Sequence, residues 1–239
     1  MKKMLKKLLK AELAKREQVV VPIMHKLGRP RCVDVTQSEY TNEYVRLSQL
    51  DLAIHEIKQH GVPGDVAELG VYKGTFAAVL NKALPDRNLY LFDTFEGFDP
   101  KQEQLDEQKH GLSYKRDFTD TSVDFVLRRM PHPDKCIVRK GLFPATAAGL
   151  DDCRFCFVSL DADLYEPILT GLHFFFDRMH PGGFIFVHDY NNVMFPGAKQ
   201  AVLEFADARG VPFVPVTDAY GTAIFRAPIM TAVQRSKSA

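Results

Sequence analysis

Asp65-Val66-Ala67-Glu68-Leu69-Gly70-Val71-Tyr72-Lys73-Gly74-Thr75, DVAELGVYKGT, is the stretch on which the fold turns. Val66, Ala67 and Leu69 make a short apolar run, Gly70 interrupts it, and residues 76–80 resume with helix-compatible side chains, so the pattern predicts strand, tight turn, helix. Gly70 and Gly74 let backbone approach a bound molecule, and the helix after them offers unpaired N–H groups in its first turn. Glu68 at the exit of the strand disfavours a phosphate and suits a ligand carrying positive charge or hydroxyls. The G-x-x-x-G spacing is neither the G-x-G-x-x-G of dinucleotide folds nor a P-loop with its Lys-Ser/Thr ending. Taken alone, the stretch is equally compatible with a plain structural turn.

A second apolar run, Leu89 to Phe92, ends in Asp93, 25 residues after Glu68. That is about the separation at which doubly wound folds set a carboxylate against ribose hydroxyls. Further strands read at Cys136 to Gly141, at Phe155 to Leu160 and at Gly183 to Val187, with helices at Leu164 to Met179 and Gly197 to Arg209. Phe213 to Val216 and Gly221 to Arg226 read as a closing antiparallel hairpin. The alternation predicts an α/β, doubly wound, mostly parallel sheet with ligands at the carboxyl ends of its strands. Asp161 and Asp189 follow neighbouring strands, so both carboxylates are expected in the crevice of Glu68 and Asp93. Like charges so gathered call for a cation.

ELGVYKG, FDTFEGF (Phe92 to Phe98), SLDADLYEP (Ser159 to Pro167) and PGGFIFVHDYNN (Pro181 to Asn192) follow one another in the chain. In that order they resemble the macrocin O-methyltransferase (TylF/MycF-type) family, class I, Rossmann-like enzymes that use S-adenosylmethionine and a divalent metal to methylate sugar hydroxyls. The resemblance spans roughly Gly61 to Arg226. It implies cofactor contacts from Glu68, Gly70, Tyr72, Gly74, Thr75, Asp93, Thr94, Phe95 and Asp161, with Asp93 on the ribose. Gly141 and Phe143 fall in GLFPAT, which resembles the family's G-x-F-P-x-T turn near the adenosine. The family's metal ligands map onto Asp161, His188 and Asp189, with an acid usual where this chain has His188. Imidazole suits manganese or another borderline ion better than magnesium, and His188 is alternatively a general base. Catalytic roles fall to Asp161, as the first candidate for proton removal, and to His188. A competing reading makes Asp161 a helix N-cap, since Pro167 sits early in the next helix.

The acceptor implied is a small molecule or saccharide, and the assembly implied is a homo-oligomer. Residues 1–16 hold seven Lys or Arg and one acid, while the remainder carries 24 basic against 29 acidic residues. A mildly acidic body excludes a nucleic-acid groove. MKKMLKKLLK sets Met1, Met4, Leu5, Leu8 and Leu9 on one helical face against lysines, a basic amphipathic helix suited to peripheral membrane contact or to ordering in an oligomer. No apolar run reaches the ~20 residues of a membrane span, and no secretory signal is evident, so the expected compartment is the cytoplasm. Cys32, Cys136, Cys153 and Cys156 are expected reduced, and Cys153-x-x-Cys156 has no second pair with which to hold zinc.

The expected organisation is a basic helix over 1–16, an arm and helix over 17–60, the methyltransferase domain over 61–228 and a tail over 229–239. Tyr44, Leu47, Leu50, Ile54 and Ile57 have the spacing of a core-facing helix, and residues 95–122 read as a long polar lid. Two other functions fit parts of this pattern. A nicotinamide oxidoreductase uses a similar sheet but needs the missing glycine motif; a membrane-associated adaptor would use only the basic helix. Removing residues 1–16 is expected to leave S-adenosylmethionine binding unchanged by calorimetry while abolishing co-sedimentation with anionic vesicles. Equal sedimentation with and without the segment would rule out membrane contact through it.

Overall fold

The computed structural model describes residues 29–35, 43–112 and 117–229. The chain divides into two units, Met1–Arg31 and Cys32–Ala239, and the sheet and its helices belong to the second. The expected basic helix, most of the arm, part of the lid and nearly all of the tail lie outside the described residues.

Seven strands form one sheet: β1 (Asp65–Leu69), β2 (Leu89–Asp93), β3 (Cys136–Lys140), β4 (Phe155–Leu160), β5 (Met179–Val187), β6 (Val214–Val216) and β7 (Thr222–Arg226). Their order is β3-β2-β1-β4-β5-β7-β6. The first five run parallel, and β7 joins β5 and β6 antiparallel. All six residues of β4 are buried, as they must be in a parallel strand covered on both faces. The helices are α1 (Tyr44–Gln59), α2 (Thr75–Ala83), α3 (Pro100–His110), α4 (Val123–Arg129), α5 (Tyr165–Phe176) and α6 (Pro196–Arg209). Phe175 of α5 meets Phe92 of β2 and Phe155 of β4 edge to face, at centroid separations of 5.7 and 5.2 Å. That aromatic joint fixes α5 on the sheet beneath the crevice.

Register places the chemistry. Leu69 lies opposite Phe92 and Leu160, and Leu160 lies opposite Val187, so these four strands run out at one level. The next residues, Gly70, Asp93, Asp161 and His188, therefore share a rim. Backbone bonds prolong the ladder there: Gly70 N–H donates to Phe92 O at 2.9 Å, Asp161 N–H to Leu69 O at 2.8 Å and His188 N–H to Leu160 O at 2.9 Å. The strand order reverses between β1 and β4, the switch point at which open α/β sheets bind ligands.

Two elements depart from the sequence-based expectation. Eleven residues of the expected polar lid form the helix α3, which begins because Asp99 accepts from the N–H groups of Lys101 and Gln102 and Pro100 occupies its first position. Its pattern was illegible because its only buried residue is an acid, Asp106, which accepts from Tyr165 N–H at 3.0 Å and so caps α5 from outside. Burial pushes the Asp106 carboxyl up. The second departure is that α5 stops at Phe176 and β5 starts at Met179, earlier than the glycines at 182 and 183 suggested.

Gly70 and Gly74 also prove to make room for protein as much as for ligand. A Cβ on Gly70, at φ +86°, would stand 2.1 Å from Asp161 O, and one on Gly74 would stand 2.8 Å from Val126 Cγ1. Gly70→Ala forces both a left-handed backbone and a clash with main chain, which cannot yield as a side chain would. It is expected to cost at least about 3 kcal/mol in urea unfolding, if the variant folds at all. Wild-type stability in that variant would show that the β1–β4 rim is not as tight as described.

Candidate active site

The rim opens into a cavity of about 350 Å³ lined by the β1–α2 turn, the end of β2, the Gly141–Phe143 turn and the residues after β4 and β5. Its two ends differ chemically. One is framed by Glu68, Gly70, Tyr72, Thr75, Asp93 and Thr94, the other by Asp161, Asp163, His188 and Asp189, with Phe98, Phe118 and Phe195 above.

At the first end Asp93 is heavily engaged. Its Oδ2 accepts from Val71 N–H at 2.6 Å and Tyr72 N–H at 2.8 Å, and its Oδ1 accepts from Phe95 N–H at 2.6 Å. The carboxylate thus ties the β1 turn to the β2 turn through three of its roughly four acceptor sites. Tyr72 sits at φ +48° and Phe95 at φ +54°. The Tyr72 hydroxyl donates to Asp120, Lys73 pairs with the same carboxylate, and Thr121 Oγ1 donates to Tyr72 O. Ser122 caps α4 by accepting from Phe125 N–H at 3.2 Å. Thr94 closes its own turn on Gly97 O at 2.6 Å. Phe143 is largely core, stacked on Phe175 at 5.7 Å, and meets the cavity with one edge.

Glu68 is 1% exposed, and among the described residues its Oε2 has no hydrogen-bond partner. Burial, and then the nearby Asp161, push its carboxyl well above the ordinary range, against the pull of Arg46. A buried polar atom left open on a cavity wall is a place for a ligand donor.

At the second end His188 Nδ1 lies 2.9 Å from Asp161 Oδ1 and 3.0 Å from Asp189 Oδ2. Asp189 Oδ1 in turn accepts from Asn192 Nδ2 at 2.6 Å. Arg46 of α1 reaches Asp161 Oδ2 at 3.1 Å. Burial and Arg46 draw the His188 pKa down, but the carboxylates outweigh them and it stands well above the ordinary histidine value. Burial alone would raise Asp161; His188 and Arg46 overcome it and hold that carboxyl well below the usual range. Asp163 moves the opposite way, raised well above normal by burial and by Asp189 beside it. Both Asp163 and Asp189 adopt left-handed backbone, at φ +60° and +58°. Asp161 is not a helix cap, since α5 begins after Leu164 without a side-chain cap and takes its acceptor from Asp106.

The sequence profile of the macrocin-O-methyltransferase (TylF) family matches residues 2–226. The chain belongs to this family. Among relatives of the same activity, mycinamicin III 3''-O-methyltransferase of Micromonospora griseorubida is 30% identical over 180 residues, 70% of this chain and 69% of that protein. The 8-demethyl-8-(2,3-dimethoxy-alpha-L-rhamnosyl)-tetracenomycin-C 4'-O-methyltransferase of Streptomyces olivaceus is 26% identical over 194 residues, 75% of this chain and 72% of that protein. The O-methyltransferase NovP shares the fold, with a TM-score of 0.64 at 19% identity, over 80% of this chain and 88% of that one.

This macrocin-type chain is therefore an O-methyltransferase on a Rossmann-like class I sheet. Family membership speaks against both the oxidoreductase and the adaptor. The structure brings the expected Asp161, His188 and Asp189 together, with one ligand-capable atom from each within 4.8 Å of the others. It also assembles residues that sequence reasoning passed over: Arg46 and Glu43 on α1, and Asp163 beside Asp161. Asp163 stood in the DAD motif and was legible as a candidate; Arg46 broke the apolar stripe of α1 and was the one available signal there. All four cysteines are free. No described helix is long and apolar enough to cross a membrane.

Because Glu68 has a raised folded pKa, the native state holds its proton more tightly than the unfolded chain does. Its contribution is present below the unfolded value, near 4.3, and is lost as pH rises from there through the folded value. Glu68→Gln removes that loss. Thermal unfolding from about pH 5 to 8 should show the variant gaining on wild type as pH rises; parallel curves would mean Glu68 is ionised in the fold.

Proposed function

We propose that this protein transfers the methyl group of S-adenosylmethionine to a hydroxyl of a sugar-bearing small molecule. The observation that carries the reading is the cavity at the β1–β4 switch point, with a buried open carboxyl at one end and a cluster of three acids and a histidine at the other. The names of the two relatives support a sugar hydroxyl as acceptor.

S-adenosylmethionine, when bound, supplies a methyl group on a cationic sulfur. Glu68 suits that ligand, since its Oε2, without a hydrogen-bond partner among the described residues, can pair with a polar group of it. Gly70, Tyr72 and Thr75 shape the same wall, and Asp93 holds that wall in place through the two turns it joins. The aromatic residues Phe98, Phe118 and Phe195 offer apolar faces over the acid cluster, where a sugar ring or its aglycone can pack while water is kept out.

Asp161, His188 and Asp189 fit a divalent ion. Ligand atoms placed cis on an octahedral ion at about 2.1 Å stand about 3 Å apart, and His188 Nδ1 stands 2.9 and 3.0 Å from the two carboxylates. Two carboxylates and an imidazole favour manganese or another borderline ion over magnesium. Such an ion would lower the pKa of a coordinated hydroxyl.

The sequence assigned proton removal first to Asp161. Both Asp161 oxygens are engaged, and its pKa is held low by His188 and Arg46, which makes it a weak base. In our reading Asp163 is a second candidate for proton removal beside Asp161; burial and the adjacent Asp189 raise its affinity for a proton.

Incubation with methyl-labelled S-adenosylmethionine and a panel of deoxysugar glycosides is expected to yield a labelled ether. Asp163→Asn should lower kcat about 10²- to 10⁴-fold with cofactor binding intact. Chelation should abolish activity and manganese restore it. Full turnover by metal-stripped enzyme in chelator would remove the metal from this reading, and a fully active Asp163→Asn would remove Asp163 as base.

A further inference from the structure

We propose that Arg46, on the first turn of α1, is a positioning residue of the catalytic centre. It holds the Asp161 carboxylate in the plane that meets His188, and it ties that pair to the helix that opens the cofactor turn. The inference rests on the methyltransferase reading only for the word catalytic; the positioning itself is independent of it.

Arg46 is 3% exposed, in a helix whose other buried positions are Leu47, Leu50, Ala53, Ile54 and Ile57, with Asp51 bonding to the Cys32 and Val33 N–H groups. An apolar side chain would sit in such a stripe at far lower cost than a guanidinium, unless fixed negative charge awaits it. That charge is Asp161, whose Oδ2 stands 3.1 Å from Nη2. The same nitrogen is 3.4 Å from Ser159 Oγ on β4, and the guanidinium carbon lies 4.0 Å from the centroid of Phe76, the second residue of α2. One planar group therefore touches β4, α2 and the acid cluster together. The two Asp161 oxygens are divided between it and His188, which leaves the carboxylate no freedom to rotate about its last bond.

A second residue of the same turn points the same way. Glu43, three positions earlier and so on the same side of the helix, places Oε2 3.7 Å from His188 Nε2. Among the described residues both atoms are buried and lack hydrogen-bond partners. Glu43 stands at the N-cap of α1 without capping it. The first turn of α1, which lies outside the sheet, thus addresses both members of the Asp161–His188 pair, and the pair is complete only when α1 is docked.

The test uses the full-length chain and two probes that need no acceptor: the ring-nitrogen resonances of His188, assigned with His188→Asn, and calorimetric binding of S-adenosylhomocysteine. In Arg46→Met, the His188 Nδ1 resonance is expected to move while S-adenosylhomocysteine affinity stays within about threefold of wild type. With an acceptor the wild type methylates, kcat should fall about 100-fold, as expected for a misplaced group. KM for S-adenosylmethionine should be little changed. Arg46→Lys, which keeps the charge but loses the fork, should give a smaller shift and a partial return of kcat. Unmoved His188 resonances in Arg46→Met would overturn the proposal. If that variant does not fold, the same readout in Arg46→Lys decides, a shift supporting the proposal and its absence overturning it. Failure of wild type to bind S-adenosylhomocysteine would defeat the methyltransferase reading and leave the His188 readout as the judge of Arg46.

Discussion

A histidine ring nitrogen lies between a buried carboxylate and a half-buried one at the ends of β5 and β4, with an arginine behind the latter. Groups of this kind are costly to bury singly, and they persist only when each has its partner. The fold meets that demand from several directions at once. The sheet register brings Asp161 and His188 to one level, the left-handed turn at Asp189 swings its carboxylate back to His188, and α1 lays Arg46 against the outer oxygen of Asp161. If any of these elements shifted, a charge would be stranded in a water-poor site. The cluster therefore acts as a check on the assembly of the whole domain as well as a place for chemistry.

Local strain is spent around the same cavity. The positive-φ residues other than glycine are Tyr72, Phe95, Asp163 and Asp189 among the described residues. Three of them line the cavity, and Phe95 follows the lining residue Thr94. Non-glycine residues adopt this conformation at a cost, and they keep it where surrounding bonds over-determine it. Those bonds are visible here. Asp93 fastens the backbone at Tyr72 and Phe95, and the carboxylate of Asp189 is held between His188 and Asn192. Asp93 thus fastens the β1 and β2 turns to each other.

The segment that carries α3 is built differently. Helix α3 is polar on nearly all sides and rests on one buried acid, Asp106, that meets the first N–H of α5 and packs against Gly197 of α6. A cover fastened by hydrogen bonds to helix ends, with few apolar contacts beneath it, opens at lower cost than one seated on a hydrophobic face. Phe98 and Phe118, at either side of this segment, meet with tilted rings at 4.9 Å and give the cavity its apolar roof. This segment and the acid cluster are therefore joined through the start of α5, which follows Asp161 and Asp163 in the chain.

Read alone, the chain determined the alternation of strand and helix, the ends of the five parallel strands to within a few residues, and the acids next to them. These are local properties: apolar runs of strand length, glycines at their ends and carboxylates next in line. The motifs also pointed to the family without any tertiary contact. Tertiary structure alone decided what each acid touches. Asp93 is consumed by backbone N–H groups that come from a turn 21 and 22 residues away. Asp161 is held ionised by a histidine 27 residues away and an arginine 115 residues away, and Asp163 is raised by burial and by Asp189 beyond another strand. The helix α3 and the place of Arg46 escaped the sequence for the same reason. Hydrophobic periodicity reports which face of an element is apolar, whereas these two depend on a buried charge whose partner is supplied by a distant part of the chain.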